Sequence, residues 1–279
     1  MGFFNQFKTA ILLGILAAIL IWIGSFFGTQ GLVIGFAFAV LINVLTYFFS
    51  DKLVLLMYQA KPASKKEYPE LHSIVEEISH KAGIPKPKVY IIQNESPNAF
   101  ATGRNPKNAV VACTTGILKL LNKEELKGVI AHEISHVKNR DILIATIAAT
   151  IAAVISYLAM MARYAGMFGG SRDRDNGRMF ELLVLGILTP IIATLIQLAI
   201  SRSREYIADS SAAKTIGSGT GLASALEKLK EGVKKVPFRN ANKATMSLFI
   251  VNPLSAQGFL NLFSTHPPLD ERISRLKKL

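Results

Sequence analysis

Three patterns of apolar and polar residues divide this chain. The first is the complete absence of charge over residues 9–28, 31–50, 142–162 and 182–201. Each stretch holds roughly 20 residues, the length a helix needs to cross a hydrocarbon core about 30 Å thick. In the first two, apolar residues run right round the helix, as in a membrane span rather than an amphipathic surface helix. The third is rich in Ala and Thr and the fourth carries Pro190; buried core helices are the alternative for that pair. Stretch 9–28 is longer than the apolar part of a cleaved leader, and SFFGTQG lacks a small-x-small cleavage pattern. It predicts a retained anchor.

The second pattern has helical spacing. YPELHSIVEEISHKAGI (68–84) places Leu71, Ile74, Val75 and Ile78 on one face and stops at Gly83, as helices commonly do. LNKEELKGVIAHEISHVKNRD begins at Asn122, with Glu125 three residues on, the signature of a capping box. It contains no breaker, so its helix is expected to continue into the third uncharged stretch. The third pattern is that of strands. KVYIIQ (88–93) and NAVVACT (108–114) are rich in β-branched residues and flanked by Pro, Gly and Asn. KLKEGVKKVPFRNANK (228–243) reads as a solvated basic loop near lipid headgroups.

These patterns predict a mainly α membrane protein with four hydrophobic helices in two hairpins. The hairpins are residues 1–50 and 142–201; a segment with a small sheet (51–141) and a tail (202–279) complete the chain. Composition agrees, with 50% hydrophobic and 18% charged residues, against about 25% charged in a soluble domain. Of 32 Lys and Arg, 14 lie in 51–141 and 13 in 202–279, whereas the turn between the first two stretches has none. The positive-inside rule therefore places both polar segments in the cytoplasm. Arg163, Arg172, Arg174 and Arg178 in the turn 163–181 run against that rule, so the second hairpin can instead pack on the polar segments or embed shallowly. A net charge of +13 suits anionic headgroups. No recognition motif accompanies the basic residues, and a nucleic-acid partner is not expected. Cys113 is alone, which rules out an intrachain disulfide and fits a buried thiol.

The candidate chemistry sits at His132-Glu133-Ile134-Ser135-His136. Residues four apart share a helix face, so His132 and His136 can offer ring nitrogens to one Zn²⁺. Glu133, about 100° round the helix, can reach a water on that metal without binding it. A catalytic zinc needs a third protein ligand and an open fourth position. Glu205 and Asp209, four apart in SRSREYIADSSAAK, offer one carboxylate for the metal and one to hold the far N–H of a ligating histidine. The alternative is a solvent-facing charge pair bonded to Arg202 or Arg204. If the last two uncharged stretches form an antiparallel pair, both halves of this site return to the same membrane face.

With these elements in place the sequence resembles the HtpX family of membrane zinc proteases, and more distantly the CaaX prenyl proteases. The resemblance spans the whole chain through the N-terminal hairpin, NAFATG, HEISHVKNRD, REYIAD and THPPLDER. It implies a gluzincin-type endopeptidase with a cytoplasmic α+β zincin-like domain and one Zn²⁺ per chain. His132, His136 and Glu205 would be ligands and Glu133 the catalytic base. The implied substrates are unfolded, misfolded or damaged membrane proteins. The implied setting is a prokaryotic plasma (inner) membrane, crossed several times, with the catalytic domain and both termini cytoplasmic. NAFATG would be an edge strand beside the metal, with Asn98 either a substrate contact or a plain turn residue. His266 would donate to the oxyanion or serve as a turn histidine, while Arg272 would brace acidic residues. Prenyl-peptide processing, or a metal-bound membrane scaffold or chaperone that never cleaves, are the competing functions. The oligomeric state is not legible.

Overall fold

The computed structural model describes residues 2–25, 28–151, 202–238, 248–251 and 267–279. Two helices open the chain, α1 (Gly2–Ser25) and α2 (Gly28–Met57). They run antiparallel in close contact, because glycine lets the backbones touch. A Cβ built on Gly24 would lie 2.4 Å from the carbonyl oxygen of Gly31, and one on Gly35 would lie 2.9 Å from that of Leu20. Asn43 Nδ2 adds a polar tie by donating to Leu13 O at 3.1 Å. Among the described residues, α2 is the one helix long and apolar enough to cross a membrane, with a mean hydropathy of 2.3. Its outer face leaves Ile34, Phe36, Leu41, Phe48 and Leu56 exposed, an apolar surface out of place in water.

The sheet contains β1 (Lys61–Pro62), β2 (Lys88–Ile92), β3 (Ala99–Thr102) and β4 (Val110–Thr114), in the order β1-β2-β4-β3. β2 and β4 are parallel, with Val89 opposite Val111; β3 is antiparallel to β4, with Phe100 opposite Ala112. NAFATG therefore forms an edge strand, as expected. Every residue of β4 is buried. Cys113 lies among them, and burial pushes its thiol pKa well up, so it acts as a packing residue.

One face of the sheet is covered by α3 (Pro69–Ala82) and α5 (Lys123–Lys138), behind which pack α7 (Arg202–Ile216), α8 (Thr220–Lys235) and α9 (Leu269–Leu276). Leu71, Ile74, Val75 and Ile78 are the buried face of α3, and Gly83 ends that helix at φ 70°. The short α4 (Thr115–Leu120) joins β4 to α5. Asn122 and Glu125 close the capping box in both directions. Glu125 also holds Ser224 and Lys228 of α8, at 2.6 and 2.8 Å. Gly128 brings α5 onto α8 main chain to main chain: a Cβ there would meet Leu222 N at 2.6 Å. The other sheet face packs Phe100 with Tyr58, Phe238 and Phe249 against the end of α2.

Two expectations are corrected. The helix from Lys123 does not run on into the apolar stretch. It stops at Lys138; Arg140 takes a left-handed φ of 59° and α6 (Asp141–Ile151) begins afresh. Asn139 still has right-handed helical angles, and Arg140 takes the left-handed position that Gly usually fills. The first half of the supposed basic loop, to Lys235, is the second half of α8, because Leu229 and Val233 continue the buried face of Leu222 and Leu226. Residues 152–201, most of the expected 142–201 hairpin and including its turn and Pro190, lie outside the described residues, as does His266. α6, the part described, packs Ile144, Ile147 and Ile151 against Leu12, Leu16 and Ile19 of α1.

Candidate metal centre

α5 presents His132, Glu133 and His136 toward α7, and α7 presents Glu205 and Asp209 back. The separation of about 70 residues in sequence closes to contact in space. His132 Nε2 and His136 Nε2 face each other at 3.2 Å. Glu205 Oε2 lies 3.6 Å from the first and Glu205 Oε1 3.5 Å from the second. Two ligands on one tetrahedral zinc at 2.0–2.1 Å are about 3.3 Å apart. The three donor atoms, all within 4.8 Å of one another, fit the corners of such an ion. The alternative, a solvent-facing charge pair of Glu205 and Asp209, is not what forms: both are 3% exposed.

Each histidine is held from behind by a carboxylate, and each carboxylate by an arginine. Asp209 Oδ1 is 2.9 Å from His132 Nδ1, which fixes the tautomer that leaves Nε2 free for a metal. Arg272, fully buried on α9, grips Asp209 through Nε and Nη2 at 2.9 and 2.8 Å and lies 3.4 Å from Glu205. It therefore braces acidic residues, as expected. The second relay was not anticipated. His136 Nδ1 meets Asp141 Oδ2 at 3.4 Å, and Asp141 Oδ1 meets Arg204 Nη1 at 3.3 Å. Asp141, five residues past His136, reaches it only because the helix breaks at Arg140, a break that no Gly or Pro marks.

The electrostatics follow from burial. Burial depresses the imidazolium of His132, but hydrogen bonds to Asp209 and Glu205 outweigh it and raise its pKa to about 9. Burial raises the Asp209 carboxyl, yet Arg272 and His132 overcome that and hold it at about 2. Burial raises Glu133 above the ordinary carboxylate range, against the pull of the two histidines. A carboxylate in such a site is a better proton acceptor than one in water.

β3 reaches the same place. The N–H of Ala101 donates to Glu133 Oε2 at 2.8 Å, so the edge strand is pinned to α5. Asn98 is fully buried, and its side chain bonds the main chain of Val251 and Ala99. The structure brings His132, Glu133, His136, Glu205 and Asp209 together, whereas Asn98 sits immediately before β3, bonded to Val251, Ala99 and Thr114.

Comparison with known proteins agrees with this geometry. The profile of Peptidase family M48 matches residues 65–279. The chain belongs to peptidase family M48. A Protease HtpX homolog of Syntrophobacter fumaroxidans is 51% identical over 280 residues, covering 99% of both chains. One of Pyrococcus furiosus is 52% identical over 281 residues, covering 100% of this chain and 97% of its own. The crystal structure of S. mikatae Ste24p superposes with a TM-score of 0.52 at 20% identity, over 98% of this chain and 66% of that one; it speaks for the fold. M48 membership implies a metal-dependent peptidase, and the His132, His136 and Glu205 donor set fits a metal.

Proposed function

We propose that this protein is an integral-membrane zinc endopeptidase that hydrolyses misfolded or damaged membrane proteins at the cytoplasmic face. The observation that carries it is the convergence of His132, His136 and Glu205 beside the buried Glu133. His132, His136 and Glu205 hold the ion, and Asp209 orients His132. Zinc held there would supply Lewis-acid chemistry and acidify a nearby water. Glu133 takes the proton of the attacking water on its carboxylate and passes it to the leaving amine. β3 aligns the substrate as an added strand, with Asn98 as a main-chain contact. His266 donates to the developing oxyanion.

The chain crosses the membrane through residues 1–50 and again through 142–201. The basic segments 51–141 and 202–279 lie on the cytoplasmic side, against the lipid headgroups. The exposed apolar face of α2 supports membrane insertion. Glu133→Gln tests the chemistry: metal content should stay at one zinc per chain while cleavage of unfolded casein in detergent falls about 10²–10⁴-fold. Unchanged cleavage would exclude the role given to Glu133; no cleavage by the zinc-loaded wild type would favour a scaffold. Labelling of a cysteine placed in turn 163–181 by an impermeant reagent tests the second hairpin.

A further inference from the structure

Residues 248–251, Leu-Phe-Ile-Val, lie along the outer edge of β3. Ile250 N–H donates to Ala99 O at 3.1 Å. The next residue, Val251, meets the preceding one, Asn98, so the two segments run antiparallel. The Asn98 amide closes on Val251 from both sides: Nδ2 donates to Val251 O at 2.9 Å and Oδ1 accepts from Val251 N at 3.5 Å. Arg272 Nη1 reaches Ile250 O at 3.5 Å. Phe249 is completely buried, its ring centroid 5.0 Å from Tyr58 and 5.3 Å from both Phe100 and Phe238.

An edge strand reading main-chain groups, an amide clamping one residue's N–H and C=O, and a pocket taking one side chain are how a groove binds an extended peptide. Here the bound peptide is the protein's own. It lies two residues along β3 from Ala101, whose N–H bonds Glu133. The segment therefore stands on the line a substrate chain would follow past the base.

We infer that residues 248–251 stand in for substrate, closing the edge of β3 until an unfolded chain displaces them. The inference rests on the protease reading and supplies its restraint. It also assigns a subsite: the box of Tyr58, Phe100 and Phe238 receives a large apolar side chain, aromatic for choice. Displacement exchanges main-chain hydrogen bonds like for like, which is close to neutral in free energy. Phe249 is then the anchor that an incoming side chain must replace.

The test uses the full-length, zinc-loaded protein in detergent, with unfolded casein as substrate. Ile250→Pro removes the N–H that bonds Ala99, and Phe249→Ala empties the aromatic box. Both should raise kcat/KM about 10-fold or more at unchanged zinc content. A fall or no change in both, with zinc retained, makes the segment a fixed wall and overturns the inference. A measurement independent of variant folding uses the blocked peptide Leu-Phe-Ile-Val. It should inhibit the wild type competitively, and its Phe→Gly analogue should be about 10-fold weaker or worse; equal potency, or no inhibition, overturns the inference. Absence of any Glu133-dependent cleavage, in the wild type and both variants, removes the protease reading itself. Glu133-dependent cleavage with the wrong response to these changes removes only the stand-in.

Discussion

Arg272 holds Asp209 by two parallel bonds, at 2.9 and 2.8 Å, and the oxygen taking the shorter bond is also 2.9 Å from His132 Nδ1. A residue near the C-terminus thereby sets the orientation of a ligand on α5. Arg272→Ala should destabilise the protein by about 3–5 kcal/mol, because Asp209 is left buried and uncompensated. It should also weaken zinc binding about 10–100-fold. Arg272→Lys, which keeps the charge but loses the fork, should fall between. Unfolding in detergent and chelator competition measure both; wild-type zinc affinity in Arg272→Ala would remove Arg272 from the relay.

The two relays should differ in strength. The Asp209 bond to His132 is shorter than the Asp141 bond to His136, 2.9 against 3.4 Å, and His132 is the more buried ring. Asp209→Asn should therefore cost more zinc affinity than Asp141→Asn, the first approaching 10–100-fold. Parallel chelator titrations decide it, and an inverted order would contradict the geometry.

Zinc binding should expel a proton. In the metal-free chain His132 stays protonated up to about 9, yet its Nε2 must be bare to ligate. Near pH 7.5 a weakly buffered titration should record about one proton released per zinc from this residue, fading as pH passes 9. The raised value also means that His132 stabilises the metal-free fold below its ordinary pKa near 6.5 and loses that contribution as pH rises through about 9.

Asp209 acts with the opposite sign. Its folded pKa of about 2 lies below the ordinary 3.8, so its stabilisation is full above the ordinary value and disappears as pH falls through about 2. Asp209→Asn should flatten the acid limb of stability against pH over that window. An identical limb in wild type and variant would show that Asp209 does not contribute there.

The N-terminal hairpin depends on glycine. A side chain at Gly24 must displace the backbone of Gly31, 2.4 Å from its Cβ. Gly24→Leu should lower the melting temperature in detergent, whereas Gly14→Leu, with nothing within 4 Å of its Cβ, should leave it close to wild type.

Local chemistry made much of this protein legible. Asn122 and Glu125 announce a helix start, Gly83 a helix end, and His132 with His136 a shared metal, because each signal lies within one helical turn. Glu205 and Asp209 were readable as a pair, and the need for a third ligand pointed them at His132 and His136, but spacing alone left a solvent-facing pair with Arg202 or Arg204 equally open. The break at Arg140 was invisible because no Gly or Pro marks it. With it went Asp141, which reaches His136 only across that break. The early part of 228–243 misled because its lysines are dense, while Leu229 and Val233, four apart, carry the helical period.

Gly128 lies one turn before His132, and there α5 rests on the main chain of α8. Side chains can adjust when a neighbour changes size, but two peptide backbones cannot. The seat of the helix carrying both imidazoles is thus set by a hard stop rather than by a cushion, and a residue with a β-carbon at that position must push α5 and α8 apart.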